Sequence, residues 1–293
     1  MKQQIKGTAA LLLATIIWGS AFIAQSVGME HIGPFTFQAV RCGLAVIFLI
    51  PCSFLLESDK KLFFAKWVNP RLWKVGSTCG IALFAAAGLQ QVGLVYTTAG
   101  KAGFITAMYI VLVPILGLFL RRKPSLSAWA SVVIAVAGLY LISCVGVSQI
   151  NKGDWMLLAC AFFFAVQITL VDNLADQLDG LRLNCVQSLV CSILSAVMML
   201  ATETPRINSI LICWLPLGYA GILSMGVAYT LQIVGQKYLE PTRASLIMSL
   251  ESVFAVLFGW LLIKETMTVY EMTGCALVFG AVILSQIPSK KKA

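Results

Sequence analysis

Residues 89–96 read LQQVGLVY, and residues 231–238 read LQIVGQKY. The two stretches continue in the same register, without a gap, as far as Ser143 and Ser285. Identical pairs include Leu89/Leu231, Gln90/Gln232, Val92/Val234, Gly93/Gly235, Tyr96/Tyr238, Ala102/Ala244, Ile105/Ile247, Gly117/Gly259 and Gly138/Gly280, and Lys101 lies opposite Arg243. Apolar composition produces chance matches of leucine and valine, but it does not explain paired glutamines, tyrosines and glycines. The pattern therefore indicates an internal repeat.

A weaker match extends the repeat toward the N-terminus. It places Leu12-Leu13-Ala14 on Leu157-Leu158-Ala159, and Trp18 on Phe163. We therefore predict two repeats, residues 1–147 and residues 148–293.

The amino-acid composition indicates whether this chain folds in water or in a lipid bilayer. Its 293 residues are 59% hydrophobic and only 11% charged, against roughly 25% charged residues in soluble domains. The mean hydropathy is +0.91. A soluble protein this apolar has too little polar surface to cover itself, so soluble enzymes, disordered chains and nucleic-acid binders are excluded. The composition predicts a membrane protein with several spans.

Apolar runs of about 20 residues, long enough to cross a bilayer core as helices, follow one another along the chain. Ten are predicted: Gly7–Gly28, Pro34–Leu56, Trp73–Tyr96, Lys101–Leu120, Ser127–Val147, Asp154–Leu174, Leu181–Ala201, Ile210–Gln236, Thr242–Ile263 and Met267–Leu284. The first run follows Lys2 and Lys6, as in a signal peptide. It is longer than the apolar region of a signal peptide and nine more runs follow, so we interpret it as a retained helix.

Each repeat contains five of these spans. Because five is an odd number, the second repeat enters the membrane from the opposite side, and the two repeats are inverted. Inverted repeats recur in secondary transporters, whose substrate site lies near mid-membrane between the repeats and is exposed to each side by rocking. The predicted fold class is an all-α membrane protein of ten transmembrane helices in two inverted five-helix repeats. The alternative is a duplicated scaffold without transport activity.

The placement of lysine and arginine predicts the orientation of the spans. With the N-terminus inside, the cytoplasmic segments hold Lys2, Lys6, Lys60, Lys61, Lys66, Arg71, Lys74, Arg121, Arg122, Lys123, Arg182, Lys237, Arg243, Lys290, Lys291 and Lys292. The opposite side holds only Lys101, Lys152, Arg206 and Lys264, and Arg41 lies within a span. Both termini are therefore predicted to be cytoplasmic, and the net charge of +9 follows from topology.

Residues for metal, cofactor or nucleotide chemistry are missing from the sequence. All nine cysteines lie in apolar runs without a Cys-x-x-Cys pair, so we interpret them as small hydrophobic residues. The single histidine, His31, lies in a short polar connection, and no phosphate-binding glycine loop with its lysine is present. We expect no metal, no cofactor, no nucleic-acid partner and no enzymatic activity.

The longest connection, Glu57 to Leu72, is basic and carries Phe63, Phe64 and Trp67. Such a segment can lie along the membrane interface, with its rings at the headgroup level and its lysines near anionic lipid. An ordinary cytoplasmic loop that reinforces the topology is the interpretation we favour.

Several motifs carry a family resemblance over nearly the whole chain. They are Trp18-Gly19-Ser20-Ala21-Phe22, Arg41, and the run SLESVFAVLFGW at residues 249–260 leading to Glu265. With ten spans arranged as five plus five, the chain resembles the EamA family of the drug/metabolite transporter superfamily. Many relatives have proline after the glutamate where this chain has Ser252, so we expect a less kinked ninth span. The resemblance implies a bacterial inner-membrane carrier, commonly an exporter of amino acids or related metabolites.

Charged residues inside a membrane are costly and usually face a cavity or a partner. Glu251 lies in the ninth span, about twelve residues or about 18 Å from its outer end. Its carboxyl group is predicted to bind a cation, pair with Arg41 or hold a proton; the alternative is a structural hydrogen bond between helices. Arg41 lies closer to the outer surface, where it can extend toward water or pair helices.

Polar and aromatic residues of the middle helices complete the candidate site. Trp18, Phe22 and Gln25 share one helix face, and Tyr109 is the repeat equivalent of Glu251. The others are Gln90, Gln91, Gln167 (placed opposite Phe22), Tyr229 and Gln232. Hydrogen bonding between helices is the alternative for each of them. Gly117, Gly138, Gly259 and Gly280 are assigned to close helix packing.

The sequence thus predicts a secondary carrier that moves a small organic solute, an amino acid or related metabolite, outward. Its partners are that solute and membrane lipid, and both proton coupling through Glu251 and uncoupled facilitation stay open. One alternative is a nucleotide-sugar or sugar carrier of an internal eukaryotic membrane, for which Lys290-Lys291-Lys292-Ala293 would serve as a retrieval signal. The other alternative, an intramembrane enzyme, lacks clustered histidines or acidic pairs.

Overall fold

The structure is a computed structural model that describes residues 2–57, 59–97, 99–143, 151–263 and 267–286. Of the residues singled out above, Cys144, Lys264, Glu265 and Lys290 to Ala293 lie outside these ranges. The described residues form helices and connections, with no β-strand among them, so the all-α prediction is confirmed.

The helices are α1 (Lys2–Met29), α2 (Pro34–Leu55), α3 (Lys60–Val68), α4 (Pro70–Leu94), α5 (Ala99–Ala107), α6 (Tyr109–Phe119), α7 (Leu126–Ser143), α8 (Lys152–Leu174), α9 (Gly180–Thr202), α10 (Ile207–Ile212), α11 (Trp214–Gly218), α12 (Tyr229–Gln236), α13 (Pro241–Met248), α14 (Leu250–Phe258) and α15 (Val269–Gln286). Two π-helical segments, Tyr219–Ala228 and Gly259–Ile263, continue α11 and α14.

Local sequence sets where several helices begin. Pro34, Pro70 and Pro241 occupy the first turns of α2, α4 and α13, where a missing N–H costs nothing. At α8, Asn151 and Asp154 form a reciprocal capping box, in which each side chain accepts a hydrogen bond from the other residue's backbone N–H.

Nine helical stretches in the described ranges are long and apolar enough to cross a membrane. They correspond to nine of the ten predicted spans. The fifth predicted span, Ser127–Val147, overlaps α7, whose apolar part Leu126–Ile142 is shorter; residues 144–150 lie outside the described ranges. Ten spans and the orientation of the termini remain predictions.

The two repeats interlock through equivalent glycine contacts. A Cβ atom added at Gly93 of α4 would lie 2.8 Å from Leu157 Cγ of α8, and one added at Gly235 of α12 would lie 2.8 Å from Leu11 Cγ of α1. Gly93 and Gly235 are a repeat pair, so Leu11 and Leu157 occupy equivalent places. Helix α4 of the first repeat therefore packs on α8 of the second in the same way as α12 of the second packs on α1 of the first. The N-terminal match differs by one position from the predicted register, which placed Leu12 on Leu157.

The contacts between α2 and α9 are also equivalent in the two repeats. The Glu203 carboxylate at the end of α9 accepts hydrogen bonds from Phe35 N and Thr36 N at the start of α2, at 2.8 and 2.9 Å. At the opposite ends, Glu57 after α2 accepts from Arg182 Nη2 of α9 at 3.4 Å. The register that aligns Leu11 with Leu157 also aligns Glu57 with Glu203 and Thr36 with Arg182. The two helices are antiparallel and related by the repeat, as an inverted arrangement requires.

Helices α7 and α15 are a second antiparallel pair of repeat equivalents. A Cβ atom at Gly138 would lie 2.7 Å from Gly274 O and 2.9 Å from Leu277 Cβ, so the predicted close packing is confirmed at Gly138. Gly280, its repeat equivalent, has no atom of the described residues within 4 Å of that position, and at Gly117 the nearest such atom is 3.8 Å away. The prediction of close packing is wrong for these two glycines, because neither of them faces the backbone of a neighbouring described helix.

Two helices are interrupted at places that differ by one position in the register of the repeat. The chain turns at Met108 between α5 and α6, and at Ser249 between α13 and α14. Near the second break, the hydroxyls of Ser245 and Ser249 donate to Thr242 O and Leu246 O, at 2.9 and 2.7 Å. Such back-bonding bends helices. The ninth span is thus interrupted at Ser249 without a proline at position 252, and the expectation that it is less kinked than in the relatives stays a prediction.

The connection after α2 contains α3 rather than an ordinary loop. Asp59 caps α3 by accepting a hydrogen bond from Lys61 N at 2.8 Å. The Phe63 ring packs on Phe54 of α2 at 5.5 Å, while Phe64 remains 65% exposed. One face of α3 thus docks on α2 and the other carries exposed apolar side chains, which favours the interfacial alternative.

Candidate functional site

A narrow cavity lies between the interlocked repeats. Its volume is about 40 Å³, room for only a few water molecules. The lining residues are Trp18, Phe22, Gln25, Arg41, Gln90, Tyr109, Phe164, Ile168, Ser224, Met225, Tyr229, Gln232, Met248 and Glu251. A solute larger than water therefore needs the surrounding helices to move apart before it enters.

Glu251 and Tyr109 meet at the centre of this arrangement. The Tyr109 hydroxyl donates to Glu251 Oε1 at 3.2 Å, and Glu251 is only 7% exposed. The two residues are a repeat pair, in the same register as Leu89 and Leu231. Two equivalent side chains can touch only where the pseudo-two-fold axis passes. The carboxyl group therefore lies at the axis, between the two repeats.

Arg41 is the cationic group of the cavity. Its Nη1 donates to Gln25 Oε1 at 2.7 Å and its Nη2 to Gln38 Oε1 at 2.6 Å. The side chain is buried, and the guanidinium lies 5.6 Å from the Phe37 ring centre. Arg41 therefore neither extends to the surface nor pairs with Glu251; no carboxylate oxygen of a described residue lies within 4 Å of it.

The neighbourhood of Arg41 suits a carboxylate or another anion. Its two hydrogen-bond acceptors are neutral amides, and its Nε has no partner among the described residues. A buried cation that lacks an anionic partner is costly, and a bound anion would supply one.

Aromatic side chains form much of the cavity wall. Trp18 and Tyr229 meet edge to face, with ring centres 5.0 Å apart, and Tyr109 lies 6.5 Å from Phe164. Trp18 Nε1 is buried without an acceptor among the described residues. Gln90 donates to Thr106 Oγ1 at 3.4 Å. The wall thus offers apolar surface with a few hydrogen-bonding groups, as small-molecule sites do.

Eight of the predicted site residues line the cavity: Trp18, Phe22, Arg41, Gln90, Tyr109, Tyr229, Gln232 and Glu251. Gln25, on the same helix face as Trp18 and Phe22, lines it as well.

Gln91 and Gln167 do not line the cavity. Gln91 donates to Met29 Sδ at 3.1 Å. Gln167 accepts from Gln232 Nε2 at 3.1 Å and donates to Gln187 Oε1 at 3.3 Å. Both side chains join helices, in agreement with the alternative for these residues.

The register of the repeat explains what the sequence missed. In the structural register, which aligns Leu11 with Leu157, the equivalents of Trp18 and Phe22 are Phe164 and Ile168, and both line the cavity. The register predicted from sequence places Phe163 and Gln167 there instead. The remaining unforeseen residues, Ser224, Met225 and Met248, are small or apolar and carry no sequence signal of their own.

Comparisons with known proteins fit this architecture. The sequence profile of the EamA-like transporter family matches residues 5–144 and again residues 151–286. An uncharacterized transporter of Archaeoglobus fulgidus is 34% identical over 94% of this chain and 83% of its own length. The uncharacterized transporter YoaV of Bacillus subtilis is 21% identical over 96% of this chain and 97% of its own. A solved crystal structure with 16% identity superposes with a TM-score of 0.80 over 96% of both chains, which shows the fold alone.

Proposed function

This chain belongs to the EamA-like transporter family, and from that premise we propose that it is a secondary carrier working by alternating access. It is a multi-pass integral membrane protein and a membrane transporter. We propose that it moves a small organic solute, an amino acid or related metabolite, outward across a bacterial inner membrane. The two repeats, residues 1–147 and 148–293, are the proposed structural units.

The contact between Tyr109 and Glu251 at the pseudo-two-fold axis carries the proposal. A site at the axis of an inverted repeat has equivalent surroundings on its two membrane sides, so equivalent motions can open it to either side. The cavity has room for only a few water molecules, so in the proposed cycle a solute enters after the helices on one side move apart.

The charges of the cavity support an amino acid as the solute. Arg41 presents a buried guanidinium without a carboxylate partner among the described residues, which suits an α-carboxylate. Glu251 supplies an acceptor for an ammonium group, and Trp18, Phe22 and Tyr229 supply apolar surface. A nucleotide sugar is much larger and carries phosphate groups, for which the lining offers a single cationic side chain, Arg41.

Flux through reconstituted liposomes tests the proposal. We expect labelled amino acids to be transported well above protein-free liposomes and to be displaced by the unlabelled compound. Sugars and nucleotide sugars should not compete. Transport of nucleotide sugars without amino acids would favour the eukaryotic carrier instead, and chemical conversion of the labelled compound would indicate an enzyme. A panel tested with and without a pH gradient also distinguishes proton coupling from facilitation.

The predicted orientation has its own test. In a cysteine-free background, cysteine at the exposed position of Lys152 should react with an impermeant thiol reagent added to intact cells. Cysteine at Lys61 should react only after permeabilisation, because lysine-rich segments stay inside. The reverse pattern would overturn the proposed topology while leaving the fold unaffected.

A further inference from the structure

A second cavity lies far from the first, where α2 ends and α9 begins. It has a volume of about 160 Å³, many times the space that one water molecule needs. Its lining residues are Ser53, Leu56, Glu57, Lys66, Asp179, Leu181 and Arg182. None of them lines the central cavity.

The repeat shows what fills the equivalent place at the opposite end. There the Glu203 carboxylate receives Phe35 N, Thr36 N and Thr36 Oγ1, the last at 2.6 Å. Glu57 is the equivalent of Glu203, but its carboxylate accepts from Lys66 Nζ at 2.6 Å and Arg182 Nη2 at 3.4 Å. One cleft is thus filled by the protein's own carboxylate, while the equivalent cleft holds the second cavity.

One buried donor of this cavity has no acceptor in the part of the chain that the structure describes. Arg182 has a side chain only 3% exposed, and its Nη1 donates to Asp179 Oδ2 at 3.0 Å. Its Nε has no partner among the described residues. The same is true of the buried Nε1 of the neighbouring Trp67, which does not line the cavity. The Arg182 guanidinium lies 6.0 Å from the Trp67 ring and 5.3 Å from that of Phe63. An unpaired buried donor costs free energy, which an acceptor on a bound molecule would recover.

The position of the cavity favours a membrane lipid as the source of that acceptor. Leu55 and Leu56 beside it are 80% and 77% exposed, and α3 exposes Phe64 and Val68. Apolar side chains with a basic helix at the end of a transmembrane bundle are typical of the headgroup region.

The charges of the cavity select among headgroups. Lys66 and Arg182 are cationic and Glu57 and Asp179 are anionic, so the lining has no net charge. We propose that this cavity binds the headgroup of a phospholipid that carries both a phosphate and a primary ammonium group, as phosphatidylethanolamine does. The phosphate lies with Arg182 and Lys66, and the ammonium lies with Glu57 and Asp179. The site is separate from the solute site, and its existence does not depend on what the protein transports.

Native mass spectrometry of the delipidated full chain tests this site. Phosphatidylethanolamine should be retained about tenfold better than phosphatidylglycerol or phosphatidylcholine, as expected for one additional hydrogen bond between charged groups. The Arg182→Gln variant should retain all three phospholipids about tenfold less well, because the phosphate that they share lies with Arg182. The matched control is Arg71→Gln, since Arg71 is an exposed arginine at the same end of the bundle whose side chain donates to Gln177 Oε1 at 3.2 Å.

Lys66→Gln gives a second variant if Arg182→Gln fails to fold, because Lys66 is half-exposed and tolerates replacement better. Equal retention of the three lipids by the folded wild type would overturn the proposal, as would unchanged phospholipid retention in both variants. Displacement of the lipid by inorganic phosphate at low concentration would also overturn it, by assigning the cavity to a soluble anion.

Discussion

Replacing Glu251 with glutamine is expected to reduce transport by about 10- to 100-fold, the range that one hydrogen bond to a charged group accounts for. The side chain is buried at the pseudo-two-fold axis, where its carboxylate accepts from Tyr109. Glutamine keeps the shape and an acceptor oxygen but can neither carry the negative charge nor exchange a proton. The measurement is flux in proteoliposomes that contain matched amounts of folded protein, at several pH gradients.

Two further variants separate charge from hydrogen bonding at this position. Glu251→Asp retains the charge and retracts it by one methylene group, so transport should fall less than in Glu251→Gln. Tyr109→Phe removes the donor at 3.2 Å and leaves the carboxyl group in place. Transport should therefore also fall less in Tyr109→Phe than in Glu251→Gln. Wild-type flux and wild-type pH dependence in Glu251→Gln would show that the carboxyl group is only a structural acceptor.

Gly138→Leu is expected to destabilise the protein by about 1–3 kcal/mol, the usual cost of overpacking a tight contact. The added Cβ atom would meet a backbone oxygen, Gly274 O, at 2.7 Å. Backbone cannot move aside as a flexible side chain can, so α7 and α15 must separate. Thermal unfolding of the purified protein in detergent measures the loss.

The repeat supplies a matched control for this substitution. Gly280 is the repeat equivalent of Gly138, but no atom of the described residues lies within 4 Å of its added Cβ position. Gly280→Leu should therefore leave the unfolding temperature unchanged or raise it, because leucine favours helix more than glycine does. Equal destabilisation by both variants would mean that helix packing at Gly138 is not the cause.

The family can be identified from the sequence because several separate features, each visible along the chain, indicate it independently. The WGSAF motif, the run around Glu251 and the internal repeat each indicate the EamA family, and the family profile matches twice. Long apolar runs likewise predict helices with little dependence on tertiary contacts, since each helix satisfies its own backbone hydrogen bonds within the membrane.

Assigning side chains to the cavity is harder, for reasons that Gln167 and Phe164 illustrate. A glutamine in an apolar helix must find a hydrogen-bonding partner, but a neighbouring helix serves as well as a solute. Gln167 contacts Gln187 and Gln232. Ile168 lines the cavity in place of Gln167, as Phe164 does in place of Phe163, because the true register of the repeat differs by one position from the predicted one. A shift of one position turns a helix by about 100°, from the cavity to a neighbouring helix.

Helical structure, location in a membrane, the relation between the two halves and the equivalence of Glu251 with Tyr109 all follow from composition or from spacing along one chain. Three features of the sites do not. The first is the contact between Glu251 and Tyr109. The second is the pair of hydrogen bonds that Arg41 donates to Gln25 and Gln38. The third is the cavity at Glu57, whose equivalent place is filled by the Glu203 carboxylate. Each depends on how helices distant in sequence are rotated and positioned against one another. That arrangement is set by packing across the whole bundle, and no single helix encodes it.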